Sequence, residues 1–125
     1  MESGMLKRKV SAQLEHWIKN KTGKCLIVQG ARQTGKTYAI EQFAEKNYEE
    51  TIEINFKETP SATEIFSGDL TVDSMVMALR FRFPDKKILP EKTLIFLDEI
   101  QECPEAITSL KFWALDDRYD VIVSV

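Results

Sequence analysis

The sequence predicts an α/β domain with a parallel β-sheet flanked by helices. Three observations carry that expectation. Short apolar runs alternate with longer stretches of helical periodicity, in the order strand, helix, strand, helix, strand, helix, strand. The runs Cys25–Gln29 and Thr93–Leu97 are apolar on both faces, as strands covered on two sides must be. The first of these runs empties into a turn bounded by Gly30 and Gly35, after which helical periodicity resumes.

Each element follows from local pattern. A basic lead-in, Lys7-Arg8-Lys9, opens onto Val10, Leu14, Trp17 and Ile18, whose spacing puts four apolar side chains on one helical face. Asn20-Lys21-Thr22-Gly23 ends that helix, and Cys25–Gln29 reads as a central strand. After Gly35 the residues Ala39, Ile40, Phe43 and Ala44 share a helical face. In Thr51–Phe56 the residues Ile52, Ile54 and Phe56 alternate with polar ones, the period of a strand. Pro60–Gly68 reads as a loop with one helical turn, and Val72, Met75, Val76, Leu79 and Phe83 mark a helix stopped by Pro84. Thr93–Leu97 is the third strand. Pro104 suits a first helical turn, where its missing N–H matters least, and the helix it opens presents Ile107, Leu110 and Trp113. Tyr119–Val125 is the fourth strand. Met75 and Met77 read as core or near-core filler on a helix.

Composition bounds the function. The 125 residues suit one domain, 1–125, with 1–23 as its helical lead-in. The chain is 43% hydrophobic and 30% charged, the mixture of an ordinary globular protein. With 17 Lys and Arg against 20 Asp and Glu, the net charge of −3 argues against a generic nucleic-acid coat. No apolar run reaches the roughly 18 residues of a membrane span, and no signal-peptide core is present, so a cytoplasmic location with no membrane partner is expected. Cys25 and Cys103 are far apart without C-x-x-C spacing and read as reduced thiols. His16 is the only histidine and has no second ligand, so it reads as a surface or packing residue.

Two motifs carry chemistry. Gly30-Ala31-Arg32-Gln33-Thr34-Gly35-Lys36-Thr37 matches G-x-x-x-x-G-K-[ST] in full. Its glycines let the backbone wrap a phosphate with N–H groups pointing inward, and the following helix turns its positive end to the same anion. Lys36 supplies a cation for the β and γ phosphates, Thr37 offers a hydroxyl to Mg²⁺, and Tyr38 completes the nucleotide-binding set that begins at Gly30. Arg32 either bridges to the nucleotide or ties the loop to an acid such as Glu99.

Leu94–Leu97 is a hydrophobic strand ending in Asp98-Glu99. In such domains the first acid is on the Mg²⁺ side, and the next can orient or deprotonate the attacking water. Parallel strands deliver their C-terminal ends to one edge, so Asp98 and Gly30 should meet there. The expected catalytic residues are thus Glu99 and Lys36, and the metal-side residues Thr37 and Asp98. Gln101 fits either a γ-phosphate reader or a surface amide.

GARQTGKT followed by LIFLDEIQECP resembles a group of prokaryotic AAA-type P-loop ATP-binding proteins, with G-x-R-Q-x-G-K-T as Walker A and D-E-I-Q as Walker B. The likeness runs from the helix at Val10 to the strand at Tyr119. It implies an additional-strand topology with strand order 5-1-4-3-2, the fourth strand lying between the phosphate-loop strand and the acidic strand. Family members read V-I-V-[ST]-G-S at that strand; here Val125 stands where glycine is expected. Such proteins are longer, which implies that this chain stops before a fifth strand, a polar sensor, an arginine finger and a lid. The strand at Cys25 is then left with one open edge, which invites self-association.

The leading expectation is Mg²⁺-dependent binding of ATP and ADP. In the complete protein, ATP hydrolysis would drive a partner-remodelling or DNA-related process, with a protein or DNA partner. The alternatives are a nucleotide-responsive binding module without turnover and a fragment of a helicase-like motor, which would need a second motor domain. No N-K-x-D follows the acidic strand, which argues against a GTPase, although the preference for ATP rests on the resemblance.

Overall fold

The computed structural model describes residues 2–20, 25–29 and 35–125, with side chains from residue 8 onward. Among the described residues four helices and four strands alternate: α1 (Glu2–Asn20), β1 (Cys25–Val28), α2 (Lys36–Asn47), β2 (Glu50–Asn55), α3 (Val72–Arg82), β3 (Thr93–Asp98), α4 (Pro104–Asp116) and β4 (Asp120–Ser124). Two 3₁₀ turns, Pro60–Phe66 and Ile100–Glu102, fill the connections after β2 and β3. The strands are all parallel in the order β1-β4-β3-β2, so β4 lies between the phosphate-loop strand and the acidic strand as the resemblance implies.

The period-2 alternation of the strands sorts side chains onto two faces. Leu94 and Phe96 of β3, Ile122 of β4 and Val28 of β1 pack with Val10, Leu14 and Trp17 of α1 and Ala39, Ile40, Phe43 and Ala44 of α2. Ile95, Leu97, Val121 and Val123 face the other way, onto the first 3₁₀ turn, α3 and α4. Both central strands, β3 and β4, are buried at every position. Among the described residues no helix is long and apolar enough to cross a membrane.

Several local expectations are corrected. The apolar run Cys25–Gln29 is not covered on both faces: Val28 is buried, but Ile27 is 50% exposed. Among the described strands β1 pairs only with β4, which is the open edge that the resemblance implies. Pro60–Phe66 is a longer 3₁₀ element than a single turn, anchored in the core by Ala62, Ile65 and Phe66. In α4 the buried stripe is Ala106, Ser109 and Trp113 with Leu110 partly buried, and Ile107 points outward. Ser109 is accommodated in that stripe because its hydroxyl donates to the carbonyl oxygen of Ala106 at 2.6 Å. Met75 is fully buried, but Met77, two positions on, falls on the opposite side of α3 and is 71% exposed.

Candidate nucleotide site

The site lies where the C-terminal ends of β3 and β4 meet the N-terminus of α2. Gly35 precedes the helix with φ at 86°, in the left-handed region that glycine enters without strain. Its carbonyl accepts the N–H of Ala39 at 2.9 Å, the bond that opens the helix. The first turn of any α-helix leaves N–H groups without intrahelical partners and carries the positive end of the helix dipole.

Lys36 and Thr37 are the first two residues of α2. Lys36 is buried, and its ammonium donates to the main-chain oxygen of Val125, across the end of β4. The Thr37 hydroxyl donates to Oδ2 of Asp98 at 3.2 Å. Sixty-one positions separate these two residues in the chain, and the parallel register closes that distance.

Asp98 is the last residue of β3 and is 4% exposed. Strand alternation puts its side chain on the same face as Leu94 and Phe96, toward α2. Its Oδ1 accepts the N–H of Glu99 at 2.9 Å and the hydroxyl of Ser124. Glu99 has φ 54° and ψ 46°, a left-handed conformation that costs a non-glycine residue about 1–3 kcal/mol. The Glu99 carboxylate accepts from the amide of exposed Gln101, Nε2 to Oε1, at 2.8 Å.

Asp98, Thr37, Lys36 and Gly35 therefore converge, with Glu99 on the turn leaving β3. Tyr38 is 52% exposed on α2, and its hydroxyl accepts from Gln42 at 2.8 Å. Gly30, Ala31, Arg32, Gln33 and Thr34 lie outside the described residues. Ser124 fits the [ST] of the family strand, but no pattern names its partner: the pairing of β4 beside β3 brings its hydroxyl to Asp98.

Acid crowds this end of the sheet. Partial desolvation, then a hydrogen bond and like charge from Glu41, with Asp98 and Glu58 adding to it, push the Glu53 carboxyl up to about 8. Among the described residues no group of three or more His, Cys, Asp or Glu could hold a metal ion. The donors present are one hydroxyl and one carboxylate. That set fits Mg²⁺, which keeps several waters and shares the oxygens of a phosphate, and it does not fit an all-protein cage.

A family model described as an AAA domain matches residues 22–124. This chain belongs to the AAA domain family. Membership marks it as a P-loop domain of the nucleotide-binding kind and accounts for the β1-β4-β3-β2 order. Among solved structures, the AAA domain is similar to "Structure of C. elegans PCH-2", at 17% identity and a TM-score of 0.48. The alignment covers 98% of this chain and 34% of that one, so the chain spans about a third of that protein's length. No curated protein matches.

Proposed function

We propose that this AAA domain binds ATP together with Mg²⁺ through Gly30–Tyr38 and Asp98, and that the complete protein hydrolyses it. The observation that carries the reading is the meeting of Thr37 and Asp98 at 3.2 Å, because it joins the two motifs at the positive end of α2. Lys36 pairs with the β and γ phosphates, and the first turn of α2 supplies N–H donors to the same anion. Thr37 and Asp98 hold Mg²⁺, which when bound neutralises charge on the phosphate oxygens. Glu99, on its strained turn, orients the attacking water and takes its proton. Gly30-Ala31-Arg32-Gln33-Thr34 with Gly35 is then the Walker A loop of the prokaryotic group, and Asp98-Glu99-Ile100-Gln101 its Walker B motif. The complete protein, cytoplasmic, turns this cycle into remodelling of a protein or DNA partner.

Calorimetric titration with ATP and Mg²⁺ tests the reading. The chain binds, and Lys36→Ala, folded by circular dichroism, binds at least about tenfold more weakly, equivalent to roughly 1.4 kcal/mol. Equal binding by the two proteins would sink it, as would no binding by the unaltered chain.

The outer edge of β1, with Ile27 half exposed, supports self-association through strand pairing. Sedimentation velocity over a concentration series reads this directly: the average mass rises with concentration. A monomer at every concentration would remove it.

A further inference from the structure

We infer that Gln101 is a positioning residue that holds the Glu99 carboxylate in place for the attacking water. The inference rests on the reading that Glu99 takes the proton of that water, and it gives Gln101 a role which that reading leaves open. The last torsion of a glutamate side chain is broad and nearly two-fold, so its carboxylate sweeps a wide arc unless something holds it. A base must lie within hydrogen-bond reach of the proton it takes, and misplacement by about 1 Å can cost about 100-fold in rate. Here the Gln101 amide donates from Nε2 to Oε1 of Glu99 at 2.8 Å.

The turn that follows β3 keeps the two side chains together. Glu99 is left-handed, and its carbonyl accepts the N–H of Glu102 at 3.1 Å, which closes the second 3₁₀ turn. Ile100 and Cys103 of that turn are buried in the core, so the backbone beneath Gln101 is anchored while its side chain is exposed. The kind of donor matters as well. A neutral amide fixes the carboxylate without pairing it to a full positive charge, whereas a cation would favour the ionised form and weaken the base. In the step served, the water oxygen bonds the γ phosphorus as the bond to the β–γ bridging oxygen breaks. ADP leaves with that electron pair, and the proton of the water passes to Glu99.

The test is single-turnover hydrolysis of ATP in Mg²⁺ by the complete protein, with affinity for an analogue that cannot be hydrolysed measured beside it by calorimetry. Gln101→Ala is expected to slow hydrolysis about tenfold or more and to keep affinity within about twofold. Gln101→Glu, near in shape but without the donor, slows it at least as much. In a Glu99→Gln background Gln101→Ala adds nothing, because its effect runs through the Glu99 carboxylate. If either Gln101 variant hydrolyses ATP at the unaltered rate while Glu99→Gln does not, the positioning role is overturned and the reading of Glu99 stands. An equal loss of rate from Gln101→Ala in both backgrounds would also overturn it, as would a loss of affinity with the rate kept. If Glu99→Gln keeps the unaltered rate, or the complete protein does not hydrolyse ATP, the reading of Glu99 itself fails and takes the role of Gln101 with it.

Discussion

Strand β4 presents three side chains to α2, and its two ends bury polar groups for opposite reasons. Ile122 sits in the middle among Val10, Leu14 and Ile40. At the C-terminal end, Ser124 donates to Asp98 of the next strand. At the N-terminal end, Asp120 accepts from the hydroxyl of Tyr48, the residue that follows α2. Each end thus buries an aspartate, Asp98 at 4% and Asp120 at 2% exposure. What differs is the helix end they meet. Asp98 faces the first turn of α2, where the dipole favours a further anion, whereas Asp120 lies by the last turn, where it does not. The Asp120 charge acts inward: burial, then the hydrogen bond to Asp120 and its charge, raise the Tyr48 phenol above its ordinary value, and burial with Asp120 pushes the Cys25 thiol up to about 11. A buried carboxylate alone therefore does not mark a ligand site. The helix terminus beside it decides.

The comparison breaks or holds on a pair of variants. Asp98→Ala lowers ATP affinity in Mg²⁺ by at least about tenfold, and it costs about 1–3 kcal/mol of stability because the buried Ser124 hydroxyl loses its acceptor. Asp120→Ala costs stability alone. It leaves the Tyr48 hydroxyl without its acceptor, costs about 1–3 kcal/mol, and keeps ATP affinity within about twofold of the unaltered chain when measured well below melting. Calorimetric titration and thermal melts on both variants read the two quantities. Matching losses of affinity would mean that the two ends are not functionally distinct.

How much of this was legible in the sequence follows the same division. The meeting of Thr37 with Asp98, beside Lys36, was legible from the spacing of the two motifs, and the parallel order of the strands followed from their alternation with helices. The partners of the two aspartates were not. Ser124 lies 26 positions from Asp98, and Tyr48 lies 72 positions from Asp120. Nothing local announces either pair, since each is made by strand order and register. The faces of α3 and α4 were legible as a whole, and only two side chains fall outside them. Hydropathy marks Met77 and Ile107 as core candidates, but both are exposed, while Ala106 and Ser109 are buried in α4.

The finest test of the comparison is electrostatic, and it lies at Glu53. Its side chain points from β2 to the α2 face, beside Glu41, and feels Asp98 and Glu58 as well. In the folded chain its carboxyl is raised from 4.5 to about 8, so folding favours the protonated form. A group raised in this way contributes stability that is complete below about pH 4.5 and is lost as the pH climbs to about 8. The site end of the sheet therefore loosens with rising pH in the ligand-free chain. Because Glu53 is only partly desolvated, solvent screening holds the effect to about 1 kcal/mol or less. Glu53→Gln keeps the shape and removes the charge. Its melting temperature should match the unaltered chain near pH 5 and exceed it by a few degrees near pH 8.5, a shift consistent with that energy. Parallel melting curves across that range would show that the acidic crowd is solvated at no cost, and that the two ends of the sheet differ by the helix terminus alone.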